Sequence, residues 1–249
     1  MLWGIRAYGN REGYALIMLP ETRNERTDGR ESGEFLLHVS HDLRTALRAI
    51  RTNADLLLKG PAPPDSGIEE RLASIVDGAQ KIDLLADGIA SYAIALEIRK
   101  DLFQPAPLDV LFRAVLAKLD KELRANDASV VKDKLPPVTG DSDRLMEVFE
   151  NLLRNALQHR GPAAPQIRIT VERRAEEWLF AVRDNGPGIP APYLEKIFRP
   201  FVRLQGNPRR GPGLGLAICR VVLERHGGRL WAESAEAPGA AFLFTLPAG

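Results

Sequence analysis

Four groups of residues fall in order along the chain and could together carry out phosphoryl transfer. They are His41-Asp42, with Thr45 one turn on; Asn151 and Asn155; Asp184-Asn185-Gly186-Pro187-Gly188; and Gly211-Pro212-Gly213-Leu214-Gly215. An exposed imidazole beside a carboxylate can accept a phosphoryl group, because the carboxylate takes or orients the ring proton while the other nitrogen attacks. The Thr45 hydroxyl lies on the same helix face and could position a water. Asparagines four apart share a helix face, and their amide oxygens suit a hard cation such as Mg²⁺. A carboxylate at a strand end, Asp184, can accept a hydrogen bond from an exocyclic amine, while Gly186 and Gly188 let backbone lie against a planar ring. Glycines opening a helix expose N–H groups that cradle phosphate oxygens, with the helix dipole behind them. Taken singly, each group has a plainer reading: a surface histidine, solvated asparagines, an ordinary Asn-Gly or Pro-Gly turn, a flexible loop. The last glycine run follows no first strand of a βαβ unit, so a dinucleotide fold fails on context.

The elements that must position these groups are legible from periodicity. Leu36, Ser40, Leu43, Leu47, Ile50, Ala54 and Leu57 step by four and three, a heptad seam with one polar position. Gly60 to Gly67 breaks it. A second seam runs through Ile68, Leu72, Ile75, Ala79, Ile82, Ala86, Ile89, Ala93 and Leu96. This predicts an antiparallel helical hairpin whose stripes are best buried in a dimeric four-helix bundle. After Pro105-Ala106-Pro107 the pattern becomes mixed. Helices are expected over 108–123, 142–159 (capped by Asp141) and 215–226, the last stopping at Gly227-Gly228. Strands are expected at 129–131, 167–173, 178–183, 229–234 and 241–246. The sum is an α/β sandwich with helices over one sheet face. Leu2–Tyr8 and Tyr14–Leu19 read as a two-stranded hairpin, and residues 21–33 as a polar linker. The predicted divisions are 1–33, 34–104 and 105–249.

Composition narrows the function classes. Among 249 residues, 34 Lys+Arg balance 33 Asp+Glu, which argues against nucleic-acid binding by bulk charge. No apolar run approaches a membrane span, and the N-terminus lacks signal-peptide regions. One cysteine, Cys219, excludes an internal disulfide and a cysteine metal cluster. These features predict a soluble, cytoplasmic chain.

Together the motifs resemble the two-component sensor histidine kinases over about residues 34 to 246. His41-Asp42-Leu43-Arg44-Thr45-Ala46-Leu47 is similar to the phosphoacceptor box, and Asn151 to Asn155 to the N box. Asp184 to Ile189 resembles the G1 box, Ile197-Phe198-Arg199-Pro200-Phe201 the F box, and Gly211 to Leu216 the G2 box. The resemblance implies a homodimeric histidine-phosphotransfer bundle followed by a Bergerat-type ATP-binding domain. It implies that His41 is phosphorylated from ATP, with Asp42 as base, and then passes the group to a response-regulator receiver domain. Thr45 would serve a phosphatase reaction, and Asn155 would bind Mg²⁺ with Asn151 near the phosphates. Asp184 would take the adenine amine beside Gly186 and Gly188. Gly211, Gly213, Leu214 and Gly215 would lie under the phosphates, closing a lid that runs from Phe201 to Gly213. The N-terminal hairpin looks like the last strands of a PAS-type sensor domain. Three positions depart from the family pattern: Ala46 replaces a proline, which leaves the helix straighter; Gln158-His159 stand where Lys-Tyr is common; Pro212 replaces a small hydroxyl residue. An alternative expectation is a catalytically silent ATP-binding scaffold of the same architecture. A topoisomerase- or chaperone-like ATPase is disfavoured, because those lack a histidine box on an upstream hairpin.

Overall fold

The computed structural model describes residues 3–10, 13–20, 28–59, 65–204, 211–234 and 239–248. The chain divides into two compact units, 1–42 and 43–249. The first holds strands β1 (Trp3–Asn10) and β2 (Gly13–Pro20), paired antiparallel from Trp3 with Pro20 to Asn10 with Gly13. It also holds the start of helix α1 (Asp28–Lys59), so part of the expected linker is helical. Residues 21–27 of that linker lie outside the described residues, as do 60–64 of the expected interhelix break.

In the second unit, α1 continues and is followed by α2 (Asp65–Leu96). α1 stays helical through Ala46, where a proline would have removed an N–H donor. The two helices approach closely at Gly78, where a Cβ would stand 2.7 Å from Ile50 and 3.2 Å from the Ala46 carbonyl. One turn away, the Asn53 amide donates to the Ser74 hydroxyl at 3.0 Å. The seam is only partly buried within one chain. Leu47 is 53% and Leu72 50% exposed, whereas the buried Ala46 and Leu85 lie one position off the seam.

A connector follows, with a single 3₁₀ turn at Lys100–Leu102 and strand β3 (Gln104–Pro107). The expected 108–123 helix is two, α3 (Leu108–Lys118) and α4 (Asp120–Ala125), which meet at the fully buried Leu119. Next come β4 (Ser129–Lys132), β5 (Pro137–Gly140), α5 (Ser142–Gln158), β6 (Gln166–Arg174), β7 (Glu177–Asp184), α6 (Gly215–Arg225), β8 (Leu230–Ser234) and β9 (Ala240–Pro247). β4-β6-β7-β9-β8 form one five-stranded sheet, with β4 parallel to β6 and the other pairs antiparallel. β3 and β5 form a separate antiparallel pair that periodicity did not predict.

The core lies between this sheet and α3, α5 and α6. Leu145, Val148, Phe149, Leu152, Leu153, Ala156 and Leu157 give α5 a broad buried stripe. Phe112, Phe149, Phe244 and Phe180 run through the core as an aromatic column. Phe149 meets Phe112 and Phe244 edge-on, and Phe244 stacks on Phe180 with ring centroids 4.7 Å apart. Each fully buried Phe contributes about 1.5–3 kcal/mol relative to exposure. At the end of α6, Gly228 leaves no room for a side chain: a Cβ there would fall 1.8 Å from the Thr245 carbonyl oxygen of β9. Gly228→Ala must therefore force α6 from the sheet. We expect it to cost about 3 kcal/mol and lower Tm by roughly 10 °C in a thermal melt.

Candidate nucleotide and phosphoacceptor sites

His41 and Asp42 lie in the first unit. The His41 side chain is 80% exposed, and its Nδ1 stands 3.3 Å from Asp42 Oδ1. A carboxylate at Nδ1 favours the proton there, which makes Nε2 the nitrogen suited to act as a nucleophile. Thr45 is exposed on the same helix, one turn along.

The remaining site residues belong to the second unit. Asp184 ends β7, the central strand, where the chain turns away from the sheet. Its Oδ1 accepts two backbone N–H bonds, from Gly186 at 2.8 Å and Ala240 at 3.2 Å. Among the described residues, Oδ2 accepts none. Burial raises its carboxyl above the ordinary aspartate value, opposed by those two bonds. A half-buried carboxylate with one oxygen committed and the other available is a directional acceptor for an amine. Around it the backbone is tightly packed. A Cβ at Gly186 would meet the His159 carbonyl at 2.8 Å, and one at Gly239 would meet the Asp184 carbonyl at 2.0 Å. Gly188 has φ +79 and sits 3.0 Å from the Gly239 carbonyl by the same measure. The glycine turn after Asp184 is thus wedged between the end of α5 and the start of β9.

α5 carries both asparagines. Asp141 caps it, accepting from the N–H groups of Asp143 and Arg144, each at 3.1 Å; such a cap is worth about 1 kcal/mol. Asn151 lies against the first residue of α6, its Oδ1 3.2 Å from where a Gly215 Cβ would be. Its Nδ2 is buried with no hydrogen-bond partner. Cys219, also on α6, is fully buried, and burial pushes its thiol up, away from reactivity. Asn151 therefore joins the N-terminus of α6 to α5. Asn155, one turn on, is half-buried. No group of three His, Cys, Asp or Glu among the described residues could hold a metal alone. A single amide oxygen fits a Mg²⁺ that keeps most ligands from phosphate and water.

The two ends of the expected lid are joined at its root. The Phe201 N–H donates to the Gly213 carbonyl at 2.9 Å, and both residues adopt positive φ, +63 and +76. A non-glycine residue at φ +63 is strained. Gly213 packs within 3.2 Å of the Phe201 backbone by the Cβ measure. We expect Gly213→Ala to unfasten the root and weaken ATP binding about tenfold in calorimetry. Gly211 has φ +55 and open space around it. Leu214 is buried against α2, 2.9 Å from where a Gly88 Cβ would be. Beside it Ser91 of α2 donates to Glu147 of α5, which Arg144 also holds at 2.7 Å. Residues 205–210 of the expected lid lie outside the described residues.

Sequence reading missed the Ala240 N–H as the second donor to Asp184, since a backbone donor carries no residue signature. It also missed the burial of His226, which was read only as the end of a helix.

The comparisons with known proteins follow this geometry. Residues 31–93 match the family of the His Kinase A (phospho-acceptor) domain. Residues 140–249 match the Histidine kinase-, DNA gyrase B-, and HSP90-like ATPase family. The chain is 35% identical to cyanobacterial phytochrome A of Nostoc sp. over 88% of its own length and 29% of the relative's. It is 31% identical to the alginate biosynthesis sensor protein KinB of Pseudomonas aeruginosa, over 94% of the chain and 40% of the relative. It thus spans about a third of the length of these curated relatives. Among solved structures, the catalytic domain of histidine kinase ThkA is 32% identical, with a TM-score of 0.51 over 58% of this chain and 97% of that one. ThkA in complex with response regulator protein TrrA matches 99% of this chain and 79% of that one, with a TM-score of 0.63 at 23% identity, a likeness of fold.

Proposed function

The chain belongs to the two-component sensor histidine kinases, and from that premise we propose that it transfers the γ-phosphoryl group of ATP to His41 and then to an aspartate of a response-regulator receiver domain. The observation that carries the reading is Asp184, a half-buried carboxylate with Oδ1 held by two backbone N–H groups. Its Oδ2 is left to accept from the adenine amine, with the Gly186–Gly188 turn alongside the ring. Gly211 to Gly215 lead into the N-terminus of α6, where backbone N–H groups and the helix dipole favour phosphate oxygens. Mg²⁺, held by Asn155 and the nucleotide phosphates, would neutralise charge on the transferred group.

In the transfer, the Nε2 lone pair of His41 forms a bond to γ-phosphorus as the bond to the β-phosphate bridging oxygen breaks, releasing ADP. The Nδ1 proton, held toward Asp42, can leave to that carboxylate as positive charge develops on the ring. Thr45, one turn away, would orient a water that attacks the receiver's aspartyl phosphate and releases inorganic phosphate. The large exposed apolar side chains of both helices, such as Leu47, Val76 and Ile94, support a homodimer in which a second hairpin covers them. No described helix is long and apolar enough to cross a membrane; we place the reaction in the cytoplasm, where ATP is supplied. The divisions this assigns are an N-terminal segment to residue 33, the phosphotransfer hairpin over 34–104 and the nucleotide domain over 105–249.

The test is incubation of the full chain with γ-labelled ATP and Mg²⁺. The expected product is an acid-labile, alkali-stable phosphate that maps to His41. Nucleotide binding without any such label would overturn the reading in favour of a silent scaffold.

A further inference from the structure

His226 is one of two buried polar side chains in the described core, at 4% exposure. Its ring joins three elements. Nε2 accepts the backbone N–H of Asp141 at 2.9 Å. Nδ1 lies 2.7 Å from the Val222 carbonyl, one turn back on α6. The Phe103 ring stacks on its face, centroids 4.4 Å apart and planes 13° from parallel. The fit is close: a Cβ at Gly140 would stand 2.7 Å from Cδ2 and 2.8 Å from Nε2.

These contacts fix the ring's chemistry. A carbonyl at Nδ1 demands N–H there, and an amide N–H at Nε2 demands a lone pair there. Only the neutral, Nδ1-protonated imidazole meets both demands. Protonation would set an Nε2–H against the Asp141 N–H, two donors face to face in a buried site. The joined elements matter for function. Phe103 lies in the connector leaving α2, and Asp141 is the cap of α5, the helix that carries Asn151 and Asn155.

We propose that neutral His226 is a positioning residue that pins the connector to the head of α5, and that its protonation releases both. The charged groups around the ring act in opposite directions. Burial lowers its pKa below the usual histidine value; the Val222 carbonyl and Asp141 raise it, and Lys100 of the connector lowers it further. Among the described residues α6 adds the Val222 carbonyl and no charged group to this balance. Because the folded value is the lower one, the anchor is at full strength above about pH 6.5. It weakens as pH falls from there toward the folded value, with opening rising by up to about tenfold per pH unit in that window. The consequence for ATP handling rests on the kinase reading, whereas the anchor itself does not.

The test is hydrogen exchange on the full chain without nucleotide, corrected for intrinsic rates, beside an NMR titration of the His226 ring. Between pH 7.5 and pH 5.5, exchange at Asp141, Phe103, Gln104 and Ala106 should rise by up to about tenfold in wild type. In His226→Gln, whose amide offers an acceptor and a donor that do not titrate, exchange should be flat with pH. Phe103→Leu should leave the fold intact, bring the ring's pKa toward the ordinary value and shrink the rise in exchange, because the window between the open and folded values narrows. Equal exchange at both pH values while the ring protonates would overturn the proposal, as would an unchanged rise in either variant. Because no ATP or phosphoryl chemistry enters, loss of autokinase activity would count against the kinase reading alone.

Discussion

His41→Gln should abolish acid-labile labelling of the chain and leave ATP affinity within about twofold of wild type. Glutamine has no nucleophilic ring nitrogen, so the phosphoryl group has no acceptor. The His41 side chain is 80% exposed and helps bury no core, so its replacement should change stability by no more than about 0.5 kcal/mol. A melt and an ATP titration on the same preparation then separate chemistry from folding. Label persisting at wild-type rate would assign the acceptor to another residue. The Asp42 partner gives a graded companion result. Asp42→Asn keeps a side chain near Nδ1 but removes the charge that stabilises the developing imidazolium, so labelling should slow by about 10²-fold without disappearing.

The second large effect is on nucleotide binding. Asp184→Asn should weaken ATP by about 10²-fold, ~2.7 kcal/mol, with little change in the melt of the free chain. Asparagine retains an oxygen for the N–H groups of Gly186 and Ala240, so the turn stays satisfied. The second carboxylate oxygen becomes an amide NH₂, which would face the adenine amine donor to donor. Alanine is a poorer test, because it also leaves two backbone N–H groups without their acceptor. The carboxyl's raised pKa adds a pH signature. ATP binding favours the carboxylate, so affinity is present above the Asp184 pKa and falls as pH drops through it, at a pH above the ordinary aspartate value. Asp184→Asn should lose that dependence. Unchanged affinity in this variant would place the adenine elsewhere.

Much of the architecture was legible because its signals are local. The α5 stripe, its Asp141 cap and the alternation in β6, β7 and β9 depend on residues a few positions apart. The α3–α4 break was not, since Leu119 carries no breaker signal and its position comes from burial at 0% exposure. The β3–β5 pair was hidden by prolines at 105, 107 and 137, which read as loop. Here they sit in a two-stranded sheet, where a missing N–H can face away from the partner. The heptad seams placed both hairpin helices, but periodicity does not say which chain covers the seam. Leu47 and Leu72 are half exposed in the chain. At the nucleotide site the side chains were readable and the backbone donors were not. His226 went unread because its role depends on Phe103 and Asp141, more than eighty residues upstream.

The clasp between Phe201 and Gly213 has a consequence for how this protein can vary. It ties residue 201 to residue 213, so the rest of the site sees a segment whose endpoints are already fixed. Closing a longer loop costs only about 0.6 kcal/mol for each doubling of length. The segment between these two residues is therefore a replaceable cartridge. Its length and composition can be exchanged, as long as the clasp survives, with the Asp184 turn and α5 asparagines left as they stand.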